Sequence, residues 1–385
     1  MHIIHVHLAH IGLGMSGGDV CTNALIKYFS DKKVPQIVIT SWKGRAKICS
    51  IISNPSSHDI QWFVTRDEKD ESPFGIIRGY IQRTREAWKI VRNISLPKDS
   101  VIICHSDFFP NSILTWLLSI KHPSLMVLYR YHLILWWFRK YGGLPNLRYV
   151  HHYLNQILYD ILLRKNQHIL TVNPHYSNLL HKKFPNASVY DLKHFWSSDV
   201  VFIEGKKIYD VVWIGRFHKQ KWIQDLLKAA YIIKKKYPSF RMALAGGGNQ
   251  NISCMITSLI HKYDIADNVD ILPFVAGDEK NKLLGSSKIF VMSSYNESFG
   301  LVLIDALYAG LPIITYDLPV YTFLENHNIT VPLYDTAILS QAILSLLKDK
   351  KRLASLAEKS RLLAKNFTRD AMWEEIYNYI LKHTM

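Results

Sequence analysis

Residues 288–315 read KIFVMSSYNESFGLVLIDALYAGLPIIT, and three events in that stretch decide the fold. Lys288–Met292 is a short apolar run with the length of a buried strand. The residues after Glu297 carry apolar positions at helical spacing until Gly310 and Pro312 stop them. Leu311–Thr315 is a second apolar run. Strand, helix and strand in this order form the unit that joins neighbouring strands of a parallel sheet.

The same alternation extends outward in both directions. Upstream strands are expected at Asp210–Gly215, Arg241–Ala245 and Val269–Leu272. An earlier series falls at Ile3–His7, Val34–Thr40, Ile60–Val64, Val101–His105, Leu125–Arg130 and Ile169–Val172. Amphipathic stretches lie between them, so the chain is an α/β protein of two doubly wound, Rossmann-like domains in tandem. The boundary is placed in residues 193–209, where Ser197–Asp199 and Glu204–Lys207 are polar. Thr368–His383 reads as a closing helix capped near Asp370.

Ligands of open parallel sheets bind outside the carboxyl ends of strands, which directs attention to the loops there. Four are unusual. After Ile3–His7 comes Gly12-Leu13-Gly14-Met15-Ser16-Gly17-Gly18-Asp19, whose glycines let amides at a helix start approach an anion, or simply make a tight turn. His5 and His7 share a strand face, more simply a buried imidazole pair than metal ligands. After Asp210–Trp213 comes Gly215-Arg216-Phe217-His218-Lys219-Gln220-Lys221, read as a post-strand loop; Arg216 and Lys221 can clamp two phosphates, or make a solvated basic loop. Gly246-Gly247-Gly248 lets the chain pass beside a ligand or turn. In the opening stretch Glu297 is expected at a helix start, with the amides of Phe299, Gly300 and Leu301 open to a phosphate or sugar oxygen. Asp305 would then lie about 12 Å further along the axis, suited to the far end of an extended ligand such as a ribose; a solvated Asp305 is the plain alternative.

In order and spacing, Gly215-Arg216 with Lys221, Glu297-Ser298-Phe299-Gly300-Leu301 through Asp305-Ala306-Leu307, and Ala309-Gly310-Leu311-Pro312 resemble the glycosyltransferase family 4 enzymes of GT-B architecture. The resemblance covers most of the chain, and Phe367-Thr368 with Trp373 resembles that family's closing helix. It implies an N-terminal acceptor-binding domain at 1–195, with 367–385 returning to it, facing a nucleotide-sugar-binding domain at 205–366 across a cleft. It also implies a retaining transferase that moves a hexose-type sugar from a UDP- or GDP-sugar, with no metal or other cofactor. Arg216 and Lys221 would neutralise the diphosphate, with Gly17, Gly18 and the amides of Phe299, Gly300 and Leu301 beside it. Glu297 would hold donor-sugar hydroxyls, and Asp305 the ribose. For the family's histidine near the reacting sugar, His132 is the first choice and His105 the second. The chain departs from the family at Asp305, commonly Glu, at Trp222, commonly Gly, and at His194-Phe195-Trp196, commonly Asn-Gly-Val-Asp.

Charge bears on the acceptor. The 385 residues carry a net charge of +16, and residues 1–195 hold 24 Lys+Arg against 12 Asp+Glu. Arg78, Arg85, Lys89 and Arg92 fall on one stripe of a helix expected at Ile76–Arg92, and Tyr129–Tyr141 mixes Trp136, Trp137 and Phe138 with cations. Such segments suit peripheral contact with anionic membrane, hence a lipid-linked or lipopolysaccharide/capsule-type glycan acceptor. Aromatics and cations do not interleave on a nucleic-acid-binding module, which speaks against nucleic acid. Asp-x-Asp is absent from the sequence, as are Cys-x-x-Cys and any window approaching ~18 apolar residues. A cytoplasmic protein, peripheral at the inner face of the membrane, is expected. A sugar-nucleotide epimerase, a phosphorylase-like enzyme or a catalytically dead scaffold on the same fold are the alternatives.

Overall fold

The computed structural model describes residues 1–9, 17–52, 59–67, 73–131, 147–163, 168–171, 173–192, 205–248, 250–325 and 327–384. Contacts divide the chain into two compact units, Met1–Lys193 with Met372–Met385, and His194–Ala371.

In the first unit seven described strands form one sheet: β1 (His2–His7), β2 (Gln36–Ser41), β3 (Ile60–Thr65), β4 (Ser100–Cys104), β5 (Met126–Tyr131), β6 (His168–Thr171) and β7 (Ser188–Asp191). Their order is β3-β2-β1-β4-β5-β6-β7, and every pairing is parallel. The helices α1 (Gly17–Asp31), α2 (Trp42–Cys49), α3 (Pro73–Val91), α4 (Phe109–Lys121), α5 (Leu147–Leu163) and α6 (Pro174–Lys183) make the crossovers. β1 and β4 are buried almost throughout, because a parallel strand covered on both faces must be apolar on both. The order reverses between β1 and β4, which makes the carboxyl ends of these two strands the switch point of this unit.

The second unit repeats the plan with β8 (Tyr209–Phe217), β9 (Met242–Gly248), β10 (Val269–Leu272), β11 (Ser287–Met292), β12 (Ile313–Tyr316) and β13 (Asn328–Val331), in the order β10-β9-β8-β11-β12-β13. Its helices are α7 (Ile223–Lys234), α8 (Gln250–Lys262), α9 (Gly277–Gly285), α10 (Leu301–Tyr308), α11 (Thr336–Lys348) and α12 (Lys350–Ala364). α11 and α12 start on aspartate caps: Asp335 accepts from the Ile338 amide and Asp349 from the Arg352 amide. The switch point here lies between β8 and β11.

The last helix, α13 (Arg369–Thr384), returns to the first unit from Met372 onward. Trp373 is fully buried beside Tyr28, Tyr377 packs edge-on against Phe29, and Glu375 accepts a hydrogen bond from Tyr190. The residue that caps it is Thr368, whose hydroxyl accepts from the Ala371 amide, and not Asp370. No helix among the described residues is long and apolar enough to cross a membrane.

The triple glycine is neither a turn nor an open loop. β8 runs on to Phe217 and β9 to Gly248, pairing Gly215 with Gly246, Arg216 with Gly247 and Phe217 with Gly248. A Cβ on Gly246 (φ +154°) would stand 1.8 Å from the Gly215 carbonyl oxygen, and one on Gly248 2.3 Å from that of Phe217. A Cβ on Gly247 meets nothing within 4 Å. Gly246→Ala is therefore expected to cost about 2–4 kcal/mol in urea unfolding, and Gly247→Ala to stay within about 0.5 kcal/mol of the parent. Equal effects at the two positions would contradict this reading.

Candidate active site

At the second unit's switch point the segments that follow β8 and β11 are stitched together. Past Phe217, His218 caps a 3₁₀ turn at Lys219–Lys221 by accepting from the Gln220 amide. Across from it, the Tyr295 amide donates to the Gln220 carbonyl (3.1 Å) and the Ser293 hydroxyl to the Lys221 carbonyl (3.0 Å). The Gln220 side chain donates to the Asn296 carbonyl, and Lys221 forms an ion pair with Glu297. Glu297 is buried and Lys221 half-buried, so little water dilutes the pair.

The expected placements need two corrections. Arg216 lies in β8 and not in a loop, because the paired glycines carry the ladder on to Phe217. Its side chain is exposed, and no hydrogen bond or ion pair engages it among the described residues. Glu297 lies before the helix and not in it: α10 begins at Leu301, and Gly300 in the left-handed region (φ +90°) turns the chain into it. The axial estimate from Glu297 to Asp305 therefore does not apply. Phe299 is fixed by stacking on Phe323, with ring centroids 4.2 Å apart, which holds the segment feeding the helix start. The first amides of α10 have no partner within the helix.

Asp305 is not solvated. It is buried on α10 and accepts from Lys280 of α9 at 2.8 Å. The structure thus brings Lys221 and Glu297 together, while Asp305 keeps a separate cation. Trp222 sits in the left-handed region (φ +48°), a conformation that glycine adopts without strain; an edge-on contact with Tyr295 and a tilted one with Tyr334, both at 5.1 Å, hold it there.

In the first unit a polar chain lies under α1. The Arg130 guanidinium on β5 is fully buried and donates to Thr22 Oγ1 (3.1 Å) and His105 Nδ1 (3.0 Å). His105 Nε2 lies 2.8 Å from His5 Nδ1, and His5 Nε2 lies 3.0 Å from Gln36 Oε1. Burial, first, and the nearby Arg130 charge lower the His5 pKa to about 3. His7 lies edge-on to His105, with Asp19 of α1 at 3.6 Å. His105 is thus a core residue with both ring nitrogens engaged. Gly17 and Gly18 start α1, and His132 lies outside the described residues. The described residues hold no cluster of three or more His, Cys, Asp or Glu side chains placed for a metal.

Sequence reasoning missed Lys280, Gln220, Asn296 and Arg130. The first three pair with residues of other segments, Lys280 from one helix to another and Gln220 with Asn296 between the segments after β8 and β11, and leave no local pattern. Arg130 had a signal, a cation in the otherwise apolar strand MVLYRY.

Residues 198–363, which lie within the second unit, match the family described as "Glycosyl transferases group 1". The chain is 27% identical over 172 residues to a D-inositol 3-phosphate glycosyltransferase of Salinispora arenicola, covering 42% of this chain and 38% of that one. It is 24% identical over 314 residues to an uncharacterized glycosyltransferase of Haemophilus influenzae, covering 79% and 81%. Over 99% of both chains it superposes, with a TM-score of 0.73 and 12% identity, on the pneumococcal O-GlcNAc transferase GtfA in complex with UDP and GlcNAc. The fold is GT-B.

Two outcomes follow. Lys221→Met strands the buried Glu297 carboxylate and is expected to cost about 1–3 kcal/mol in urea unfolding; adding Glu297→Gln should recover most of it, and no recovery would refute the pairing. His5 binds its proton more weakly folded than unfolded, so stability is lost as pH falls from about 6.5 toward 3, by at most about 1.4 kcal/mol per pH unit. The slope of unfolding free energy against pH should flatten in His5→Gln, and an unchanged slope would contradict the assignment.

Proposed function

We propose that this chain is a retaining glycosyltransferase that moves a hexose-type sugar from a UDP-sugar to a lipid-linked or lipopolysaccharide/capsule-type glycan acceptor, without a metal. The carrying observation is the cross-stitched pair of segments after β8 and β11, which holds Lys221 against Glu297 beside the start of α10, with Arg216 unpaired. A diphosphate entering there meets Arg216 as a planar fork, Lys221 as a point charge and the α10 amides as fixed dipoles. Glu297 would accept from sugar hydroxyls. Asp305 with Lys280 would take the ribose. The pneumococcal neighbour of the same fold holds UDP, which supports uridine over guanosine.

In the transfer step the acceptor oxygen bonds to the anomeric carbon as the bond to the β-phosphate oxygen breaks. The acceptor proton passes to the departing phosphate, and attack from the leaving-group face retains configuration. The charge that develops on the phosphate is what Arg216, Lys221 and the α10 amides stabilise.

The acceptor is assigned to the first unit. On α3, Phe74 is 78% exposed and shares its face with Ile77, Ile81, Arg78, Arg85 and Lys89, all exposed. Apolar and basic side chains on one helix face suit an anionic membrane surface, where a lipid-linked acceptor resides.

In the presence of EDTA, saturating UDP should raise the melting temperature by several degrees, and Lys221→Met should abolish the shift. With UDP-sugars and a membrane extract, mass spectrometry should find the sugar on an organic-soluble acceptor, and Glu297→Ala should lower the rate at least about 100-fold. No shift with UDP or GDP, or undiminished transfer by Glu297→Ala, would overturn the reading.

A further inference from the structure

Arg130 is a fully buried cation that no carboxylate among the described residues pairs with. Its described partners are the Thr22 hydroxyl, the His105 ring and the Cys21 thiol. Burying an unpaired charge costs several kcal/mol, so the position demands a reason.

The reason is legible in the direction of the hydrogen bonds. A guanidinium only donates, so His105 Nδ1 must be the bare nitrogen and Nε2 the protonated one. His105 Nε2 then donates to His5 Nδ1, and His5 Nε2 donates to Gln36 Oε1. The far end agrees independently: the Gln36 amide donates from Nε2 to the Ile26 carbonyl (3.2 Å), which leaves its oxygen for His5. Both ends impose one polarity on both rings. The chain begins at β5, crosses the ends of β4 and β1 at the switch point, and holds α1 through Thr22 and Ile26. α1 is the helix that starts at Gly17 and Gly18.

We propose that Arg130 is a positioning residue for the start of α1: it fixes His105 in a single neutral, Nε2-protonated form and anchors the glycine start of α1 in one arrangement. The proposal rests on the glycosyltransferase reading for its effect on turnover; the state of the ring does not. Charged and titratable groups around the chain are His7 on β1, Asp19 and Cys21 on α1, Asp107 after β4 and Tyr159 on α5. None of them supplies Arg130 with a hydrogen-bonded carboxylate.

The test is long-range proton–nitrogen NMR on the full chain with ¹⁵N-histidine, His5 and His105 being assigned by His5→Gln and His105→Gln. In the parent protein both rings should be protonated on Nε2 only and unchanged from pH 8 to 5.5. In Arg130→Met the donor that keeps Nδ1 bare is gone, so His105 should no longer be confined to the Nε2-protonated form. UDP binding, which belongs to the second unit, should stay within twofold, and kcat should fall at least tenfold with little change in donor KM. A parent His105 protonated on Nδ1, a silent His105 in Arg130→Met, or an unchanged kcat would overturn the proposal. If Arg130→Met does not fold, Arg130→Lys decides: it keeps the charge but loses the fork, so His105 should stay neutral while kcat falls, and a parental kcat would overturn the positioning role. Absence of UDP binding and transfer in the parent would instead sink the functional reading and leave the NMR result to judge the ring assignment.

Discussion

A parallel sheet wound outward in both directions has to reverse its strand order once, and at the reversal the two central strands send their crossovers to opposite faces. Their carboxyl ends are left without a covering crossover between them. In this chain that happens at β1/β4 and again at β8/β11, and the described polar chemistry gathers at those two places. His5, His105 and the Arg130 chain lie at the first; Lys221, Glu297 and the start of α10 lie at the second. Topology therefore selects the site before any side chain does, and the side chains then stabilise the segments that topology leaves uncovered.

The two switch points solve that problem differently. In the second unit the loops bind each other, through hydrogen bonds from Tyr295 and Ser293 and through the ion pair of Lys221 with Glu297. Opening that pair would strand the buried Glu297 carboxylate. In the first unit the polar groups sit under α1 and face the core, where no solvent replaces a lost partner. The second unit thus ties two loops to each other, and the first ties a helix to its sheet.

The alternation of apolar runs with helical stretches was enough to read both sheets, because a strand buried on both faces has few acceptable side chains. Ser188–Asp191 and Asn328–Val331 escaped notice since short edge strands are half-exposed and leave no such run. At the site, Glu297 and Lys221 were legible as a spacing, yet their mutual contact was not, because it depends on how two loops far apart in sequence fold back. The solvated alternative for Asp305 failed for the same reason: its partner Lys280 comes from another helix. Trp222 looked like a defect in the motif. In the fold it carries the same left-handed backbone a glycine would, at a strain of about 1–2 kcal/mol that contacts with Tyr295 and Tyr334 offset.

The Asp305–Lys280 pair has a consequence for the second unit itself. A lone carboxylate buried on α10 would carry a large desolvation cost. Lys280 at 2.8 Å offsets that cost and ties α9 to α10. The shorter side chain of Asp305 therefore does not leave a loose position, because an ion pair from a neighbouring helix holds it in place.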